Sequence, residues 1–504
     1  MSYLLGIDLG TSSLKSILIS EEGKMMAISS KSYQFSSPCN GYAEHDPLEW
    51  WDACCKTVNE VIVNSNVSKD DIKGVSFSGQ MHGAVMLDKD FTVVRPAILH
   101  CDSRSDVQVE YLKEKLGLDR IKNIVLNPIY TGFLLSSLLW VRDNEPYNFD
   151  KIKYVMLPKD YLKFRMTGVV SSDYSDASAT LAFDIKNNCW SDEILNCVGI
   201  TKDIFPPCFN STAATENVCK KAALEIGLST KTIVVSGGGD QVMQSIGNGI
   251  IKENQSSVNI GTSGQVSFQS NRPILNNGLT TNTFCGYEKD RWYTMGAIMS
   301  AGLSYKWINN LLNNKDYNEM NKLIDNVKPG SGGVIYLPYL NGERTPHLNP
   351  NISGMFAGLN INTGRPQIAR AVMEGVSFAL KQCIEVCEDL GLKSEMMVAS
   401  GGATKSKTWL QIQSDIYNRP LKISDIDEQA SFGAAITAGV GTGIYRNMEE
   451  GCNKVVRYKD YIIEPNLQNH KIYKEYYGLF KEIFLESKNS LEKITIMGKR
   501  SSER

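Results

Sequence analysis

The N-terminal stretch GIDLGTSSLKSILIS, from Gly6 to Ser20, places a carboxylate and a Gly-Thr-Ser triplet between two apolar runs. The apolar runs predict two β-strands joined by a tight turn. Backbone N–H groups of such a turn point into the loop, and its small residues let phosphate oxygens approach closely. We interpret Thr11 and Ser12 as candidate phosphate contacts, with a plain hairpin turn as the alternative.

A second stretch, SSVNIGTSGQVSF from Ser256 to Phe268, repeats this plan of strand, Gly-Thr-Ser turn and strand. Two such turns favour one polyphosphate held from two sides, with Gly261, Thr262 and Ser263 as contacts in the second turn. The repeat also predicts two lobes of related design.

Length and composition limit the class of protein. The 504 residues can form two large lobes, and 42% hydrophobic residues, 21% charged residues and a net charge of -2 are ordinary for a globular chain. This charge predicts no partner among nucleic acids or anionic membranes. The twelve cysteines lack regular spacing, and no apolar run approaches the ~20 residues of a membrane helix. We therefore expect a reduced, cytoplasmic protein that is neither secreted nor membrane-spanning.

The alternation of strand and helix patterns along the chain predicts an α/β fold. We expect an N-terminal domain over residues 1–246, with a less regular insertion over about 106–223, and a C-terminal domain over 247–504. A helix over about 367–390 should pack its apolar stripe on the second sheet. The charged segment from Lys488 onward is predicted to be a helical end that frays into disorder.

Two aspartates are candidates for chemistry. Asp8 ends a buried-looking strand, where a carboxylate needs a partner such as a hydrated Mg²⁺ bound to phosphate, or else caps its own turn. Asp240 follows three glycines and opens a helix, so it is either an N-cap or a base in a cleft. The glycines favour the second role because they let a ligand approach the backbone.

Two further Gly-rich segments carry polar groups. In SFSGQMHGAVMLD, Gln80, Met81 and His82 lie at a strand end between glycines, with room for a small polar ligand, although a lone histidine is usually structural. In SGGATKSKTW, Gly401 and Gly402 precede a helix and form either a nucleobase seat or a plain tight turn.

Together these motifs resemble the FGGY family of carbohydrate kinases, in the family's order and over nearly the whole chain. Within that family, SGQMHG, LPKDYLKFRMTG, SDYSDASAT and LPYLNGERTPHLNPN are most similar to members that phosphorylate D-xylulose. The resemblance implies the two-lobed fold of the actin, hexokinase and Hsp70 group, with a ribonuclease-H-like α/β core in each lobe. It also implies that ATP, Mg²⁺ and the sugar meet between the lobes to give D-xylulose 5-phosphate.

The resemblance assigns roles to individual residues. It implies that Asp240 is the catalytic base, for which an ordinary aspartate pKa suffices, and that Asp8 serves the magnesium ion. Met81 and His82 correspond to the pair that contacts the sugar, beside Gln80. The implied nucleotide contacts are Thr11, Ser12, Gly261, Thr262, Gly302, Gly401, Gly402 and Ser406.

Near the substrate the chain departs from the family pattern. Gln241 replaces the Asn usual in members that use D-xylulose, and His100 stands where many members have Trp. Either residue can reshape the pocket for another ketose or polyol. Arg104, in the same segment as His100, is a further candidate for the pocket, with a strand-end ion pair to Asp102 as the alternative.

Two alternatives to a D-xylulose kinase therefore stand. One is a kinase for ribulose, glycerol or gluconate; the other is an actin-like or Hsp70-like ATPase. The Gln-Met-His-Gly and Gly-Gly-Gly-Asp-Gln motifs favour a sugar kinase over the ATPase. The expected partners are ATP and a small sugar, and a homodimer is a further possibility.

Overall fold

The computed structural model describes residues 1–314 and 316–502. Two seven-stranded sheets organise the chain. Numbered in chain order, the first sheet contains β1 (Tyr3–Leu9), β2 (Ser13–Ser20), β3 (Met25–Ser32), β4 (Ile72–Gly79), β5 (Ala214–Asn217), β6 (Ile233–Val235) and β7 (Gly238–Gly239). The second contains β8 (Ser256–Ile260), β9 (Gly264–Ser270), β10 (Asn282–Cys285), β11 (Trp292–Ile298), β12 (Met397–Gly401), β13 (Leu421–Ser424) and β14 (Tyr458–Ile463).

The two sheets share one central topology. In the first, β1 pairs antiparallel with β2 and β2 with β3, while β4 runs parallel to β1 and β6 parallel to β4. In the second, β8 pairs antiparallel with β9 and β9 with β11, while β12 runs parallel to β8 and β13 parallel to β12. This confirms the expected α/β class and the two lobes of related design.

Helices cover both sheets, and short strand pairs lie outside them. The α-helices are α1 (Pro47–Ser65), α2 (Asp106–Arg120), α3 (Leu134–Asn144), α4 (Pro146–Phe149), α5 (Pro158–Thr167), α6 (Tyr174–Ala177), α7 (Asp192–Val198), α8 (Lys220–Ile226), α9 (Asp240–Gly247), α10 (Gly302–Leu311), α11 (Tyr317–Ile324), α12 (Arg365–Asp389), α13 (Lys407–Tyr417), α14 (Gln429–Gly441), α15 (Met448–Val455) and α16 (Leu467–Ser502). The strand pairs are Glu44–His45 with Ala97–Ile98, Val85–Leu87 with Tyr154–Met156, Ser172–Asp173 with Cys208–Phe209, Phe183–Asp184 with Cys189–Trp190, and Ile335–Leu337 with Met355–Ala357.

Two sequence expectations concern the C-terminal half. The predicted helix over about 367–390 is α12, which packs on β9 and β11 as expected. The tail does not fray at Lys488, because α16 continues as a helix to Ser502. Positions 503 and 504 lie outside the described residues. Within the described part of the chain, no helix is long and apolar enough to cross a membrane.

The insertion over 106–223 forms its own apolar core and touches the second sheet. Leu135 and Leu138 of α3 lie in this core with Trp292 of β11. The Trp292 indole donates to the carbonyl of Ile185 at 2.9 Å, and the Asn127 side chain donates to the carbonyl of Thr283 at 2.8 Å. The insertion therefore joins the two halves of the chain at one end of the molecule.

At the centre, β1, α9 and α14 meet with their backbones almost in contact. A β-carbon on Gly6 of β1 would lie 1.9 Å from a carbonyl oxygen of α14. One on Gly433 of α14 would lie 1.9 Å from the carbonyl oxygen of Met243, and one on Gly247 of α9 would lie 2.0 Å from a carbonyl oxygen of α14. Because these obstacles are backbone atoms, glycine is the residue that fits at all three positions.

We predict that Gly433→Ala lowers the free energy of unfolding by more than about 2 kcal/mol, because the new methyl forces α9 and α14 apart. The matched control is Gly478→Ala on the exposed face of α16, where no atom lies within 4 Å of the added carbon. That change should stabilise the helix by roughly 0.5–1 kcal/mol. Thermal unfolding of the two variants measures both effects, and equal midpoints would contradict the prediction.

Candidate active site

A cavity of about 360 Å³ lies between the C-terminal edge of β1 and β4 and the facing strands β9 and β11. It collects most of the predicted sugar-site residues and two predicted phosphate contacts. These are Thr11, Gln80, Met81, His82, His100, Asp240, Gln241 and Ser263.

The strand register explains this convergence. The two-residue strand β7 pairs parallel with the end of β4, with Gly239 opposite Gly79. Gln80 and Asp240 therefore leave neighbouring strands at the same edge of the sheet. Asp240 is the first residue of α9, so its carboxylate lies at the positive end of the helix.

His82 is held in an unusual conformation. Its backbone has φ +74°, in the left-handed region that few non-glycine residues adopt. The Nδ1 atom lies 2.7 Å from the carbonyl oxygen of Ala179, and the ring packs 4.1 Å from the ring of Phe133 between centroids. Because a carbonyl oxygen accepts, Nδ1 carries the proton and Nε2 is left as an acceptor. Burial lowers the pKa of His82 to about 3, so the ring is neutral.

The carboxyl group of Asp240 is strongly perturbed. Burial and the charge of Asp8 together raise its pKa to about 7, against hydrogen bonds from Gln241 that lower it. Its charge in turn reaches the buried groups of Asp176 and Tyr293 and raises their pKa values. An ordinary aspartate pKa would suffice for the role that the resemblance implies, and the raised value is a feature of the folded protein that the sequence did not predict.

A second cavity, of about 440 Å³, lies on the second lobe. It is lined by five of the predicted nucleotide contacts: Gly261, Thr262, Gly302, Gly402 and Ser406. The N–H of Gly302 donates to the carbonyl of Gly261 at 2.9 Å, and a β-carbon on Gly302 would lie 2.3 Å from that oxygen. Glycine at 302 thus lets α10 begin directly against the Gly-Thr-Ser turn.

The segment SGGATKSKTW, for which the sequence predicts either a nucleobase seat or a tight turn, borders this cavity. Gly401 has φ +83°, and its β-carbon would lie 2.4 Å from the Asn259 side chain, so it shapes the turn without lining the cavity. Ser406 is the N-cap of α13 and accepts a hydrogen bond from the N–H of Trp409 at 3.3 Å. Its hydroxyl is therefore already engaged within the protein.

Two predicted phosphate-side residues lie beside the first cavity. The Asp8 carboxylate accepts a hydrogen bond from the Ser78 hydroxyl at 2.7 Å, and burial raises its pKa. Ser12 is exposed and lines neither cavity.

The structure does not bring Arg104 to the cavity. Its guanidinium is buried against Glu44 at 2.6 Å and Asp102 at 2.7 Å, and it stacks 3.7 Å from the Tyr42 ring centroid. The alternative of an ion pair with Asp102 is the arrangement observed, because both acidic partners are themselves buried and need a cation.

Several cavity residues were not singled out from the sequence. Arg344 lines the cavity 6.0 Å from the Tyr130 ring centroid, and within the described residues its guanidinium has no acidic partner. Its segment, LPYLNGERTPHLNPN, contributes to the family resemblance, but no local signal separates a ligand-facing arginine from a paired one. The others are Tyr130, Thr131, Phe133, Gln265, Asn282, Phe284, Met295, Ala297, Ile298 and Met299.

Comparison with known proteins matches both halves of the chain to one family. Residues 3–247 match the N-terminal domain of the FGGY family of carbohydrate kinases, and residues 256–442 match its C-terminal domain. The chain belongs to this family. It is thus a carbohydrate kinase, with ATP and a sugar as its substrates.

Individual relatives span nearly the whole chain. A xylulose kinase of Bacillus subtilis (strain 168) is 37% identical over 492 residues, covering 97% of this chain and 98% of its own. The solved structure of a xyloylose kinase from Brucella ovis is 29% identical with a TM-score of 0.91, covering 96% and 99% of the two chains. That of a gluconate kinase from Lactobacillus acidophilus is 25% identical with a TM-score of 0.92, covering 98% and 99%. These matches confirm the expected two-lobed sugar-kinase fold.

The raised pKa of Asp240 predicts how the stability of the folded protein changes with pH. Folded Asp240 keeps its proton up to about pH 7, whereas the ordinary aspartate value is 3.8. The folded state therefore binds more protons between these values, and its stability falls as the pH rises through this window. We expect Asp240→Asn to raise the thermal midpoint, by more at pH 8 than at pH 5. A difference between variant and wild type that does not change with pH would contradict this.

Proposed function

We propose that this kinase transfers the γ-phosphoryl group of ATP to D-xylulose and forms D-xylulose 5-phosphate. The observation that carries the proposal is one cavity lined by Asp240, the Met81–His82 pair and both Gly-Thr-Ser turns, through Thr11 and Ser263. The relatives named xylulose kinase, at up to 37% identity over almost the full length, support the choice of sugar.

Asp240 is the general base in this proposal. Its carboxylate accepts the proton of the attacking sugar hydroxyl, which in a loose phosphoryl-transfer transition state leaves late. A pKa of about 7 in the ligand-free protein is close to the operating pH, where a general base is most effective.

The turns hold the phosphate chain. The N–H groups of Thr11 in the first turn and of Thr262 and Ser263 in the second would donate to phosphoryl oxygens, whereas the Gly261 N–H already donates to the Ser263 carbonyl at 3.0 Å. The adenosine part fits the second cavity, where Tyr305 and Trp409 supply aromatic surface beside Gly402.

The residues present fit a magnesium ion bound together with ATP. The Asp8 and Asp240 carboxylates interact electrostatically, and burial raises the pKa of each, so that a divalent cation beside them would offset an unfavourable charge. Among the described residues no three acidic, His or Cys side chains form a complete metal site, as expected when phosphate and water supply most ligands. Asp8 would hold the ion, which supplies charge neutralisation on the phosphate oxygens.

His82 orients the sugar as a neutral group. Its Nε2 accepts a hydrogen bond from a sugar hydroxyl, since Nδ1–H is committed to the Ala179 carbonyl. Phe133 and Phe284 on either side of the ring restrict its rotation.

The location, domain bounds, oligomeric state and partners of the enzyme are proposed together with its function. We propose a cytoplasmic enzyme with domains over 1–246 and 247–504 that acts as a homodimer on small molecules, without nucleic acid or membrane partners. A small net charge of -2 and twelve free thiol side chains support this setting.

The test of substrate is ADP release with ATP and Mg²⁺ against D-xylulose, L-xylulose, D-ribulose, L-ribulose, glycerol and gluconate. We expect D-xylulose to have the highest kcat/KM. Asp240→Asn should lower kcat with that sugar by roughly 10²–10⁴-fold while nucleotide binding is retained, because it removes the base without altering the second cavity.

A preference for another sugar would refute the choice of D-xylulose and assign specificity to Gln241 and His100, both of which line the cavity. Gln241→Asn then tests which of the two is responsible. ADP release that no sugar stimulates would favour the ATPase alternative.

We predict that His82→Ala raises the KM for the sugar about 10-fold or more, with a smaller loss in kcat, because the lost hydrogen bond serves ground and transition states alike. Because His82 is neutral well above its pKa of about 3, the ratio of variant to wild type should stay constant from pH 6 to pH 9. An unchanged sugar KM would remove His82 from the sugar site.

A further inference from the structure

Five charged side chains are completely buried behind the loops that carry Gln80 and Asp240. They are Lys159, Asp160, Lys163, Asp173 and Asp176. The Lys159 ammonium lies 2.6 Å from Asp160, 2.8 Å from Asp173 and 3.4 Å from Asp176. We refer to these five residues as the buried charge cluster.

Burying five charged side chains costs free energy because the charges lose their hydration, so the presence of the cluster needs an explanation. Although burial alone lowers the pKa of Lys159, its three aspartate neighbours raise it well above the usual value. Burial raises the pKa of Asp176, whose oxygens have no hydrogen-bond partner within the described residues. A well-packed apolar group would cost less at such a position, so stability alone does not account for the cluster.

The cluster touches both loops of the active site. A β-carbon on Gly79, directly before Gln80, would lie 2.7 Å from the Lys159 β-carbon. Gly79 pairs with Gly239, so Lys159 lies beneath the point where both loops leave the sheet.

A hydrogen-bonded chain connects the cluster to Asp240. Asp173, paired with Lys159, accepts a hydrogen bond from the Ser175 hydroxyl. The same hydroxyl oxygen accepts a bond from the N–H of Gly239 at 3.1 Å. On its opposite side, Gly239 is so close to Met81 that a β-carbon would lie 2.9 Å from the Met81 side chain. Gly239 is thus fixed between Ser175 and a residue of the sugar cavity.

We propose that Ser175, oriented by the buried pair of Lys159 and Asp173, is a positioning residue that fixes Gly239 and thereby aims the Asp240 carboxylate at the sugar. The inference rests on the proposed function for what Asp240 does. The position of Asp240 depends only on the hydrogen bonds of Ser175 described above, whatever reaction Asp240 takes part in.

The chain offers a matched pair of variants. The hydroxyls of Ser175 and Ser211 are both buried and both donate to the same oxygen of Asp173, Ser211 at 3.3 Å. Of the two, Ser175 accepts the Gly239 N–H. We expect Ser175→Ala to lower kcat by roughly 10- to 100-fold, as a misplaced reacting group does, whereas Ser211→Ala stays within about threefold of wild type.

The pH profile separates positioning from a general loss of structure. If Gly239 is released, the Asp240 carboxylate gains access to water, and the acidic limb of kcat/KM moves to lower pH in Ser175→Ala and not in Ser211→Ala. Equal effects of the two variants on kcat, or an unmoved acidic limb in Ser175→Ala, would overturn the proposal.

A measurement that needs no catalytic turnover separates failure of the positioning role from failure of the proposed function. The gain in thermal midpoint from Asp240→Asn at pH 8 is measured in the wild-type, Ser175→Ala and Ser211→Ala backgrounds. We expect the gain to shrink in Ser175→Ala and to persist in Ser211→Ala, whichever sugar is the substrate. The same gain in all three backgrounds would overturn the positioning role, even for an active xylulose kinase.

Discussion

The close contact of β1, α9 and α14 is the constraint on which the two-lobed arrangement depends. β1 carries Asp8 and leads into the first Gly-Thr-Ser turn, while α9 begins at Asp240. α14 lies between β13 and β14 of the second sheet in the chain but packs on β1, β4 and α9 of the first lobe. Because glycines bring these backbones within contact distance, Asp240, the first Gly-Thr-Ser turn and the second lobe share one rigid reference point.

The cavity built on this junction has a consistent electrostatic character. Burial favours the neutral forms of its titratable groups, raising the pKa values of Asp8 and Asp240 and lowering those of His82 and His100. Arg344 remains as a cation in the cavity wall. A low-dielectric site of this kind strengthens interactions with incoming phosphate and metal charges, which replace the water that the lobes exclude.

Much of the fold and part of the site follow from local sequence pattern. The two Gly-Thr-Ser turns, the Gln80–His82 loop and Asp240 were predictable because short glycine-rich turns between apolar strands have few alternative structures. Arg104 and Arg344 show what local sequence pattern does not predict. Both arginines lie in polar segments of the sequence. They differ in their contacts, because Arg104 pairs with Glu44, sixty residues earlier in the chain, and Arg344 does not. The raised pKa of Asp240 was also beyond local pattern, because it arises from burial in the folded protein and from the charge of Asp8, far away in the sequence.

The arrangement of the second turn explains how one short segment serves both cavities. Gly261 and Thr262 line the second cavity, while the next residue, Ser263, lines the first. The carbonyls of Gly261 and Thr262 accept hydrogen bonds from Gly302 and Leu303, so the start of α10 fixes the turn from behind. A phosphate chain running along this turn would pass from the nucleotide side to Asp240 over rigid backbone donors. Backbone geometry would therefore set the path of the phosphate chain, while the orientation of Asp240 depends on the side-chain contacts around Gly239.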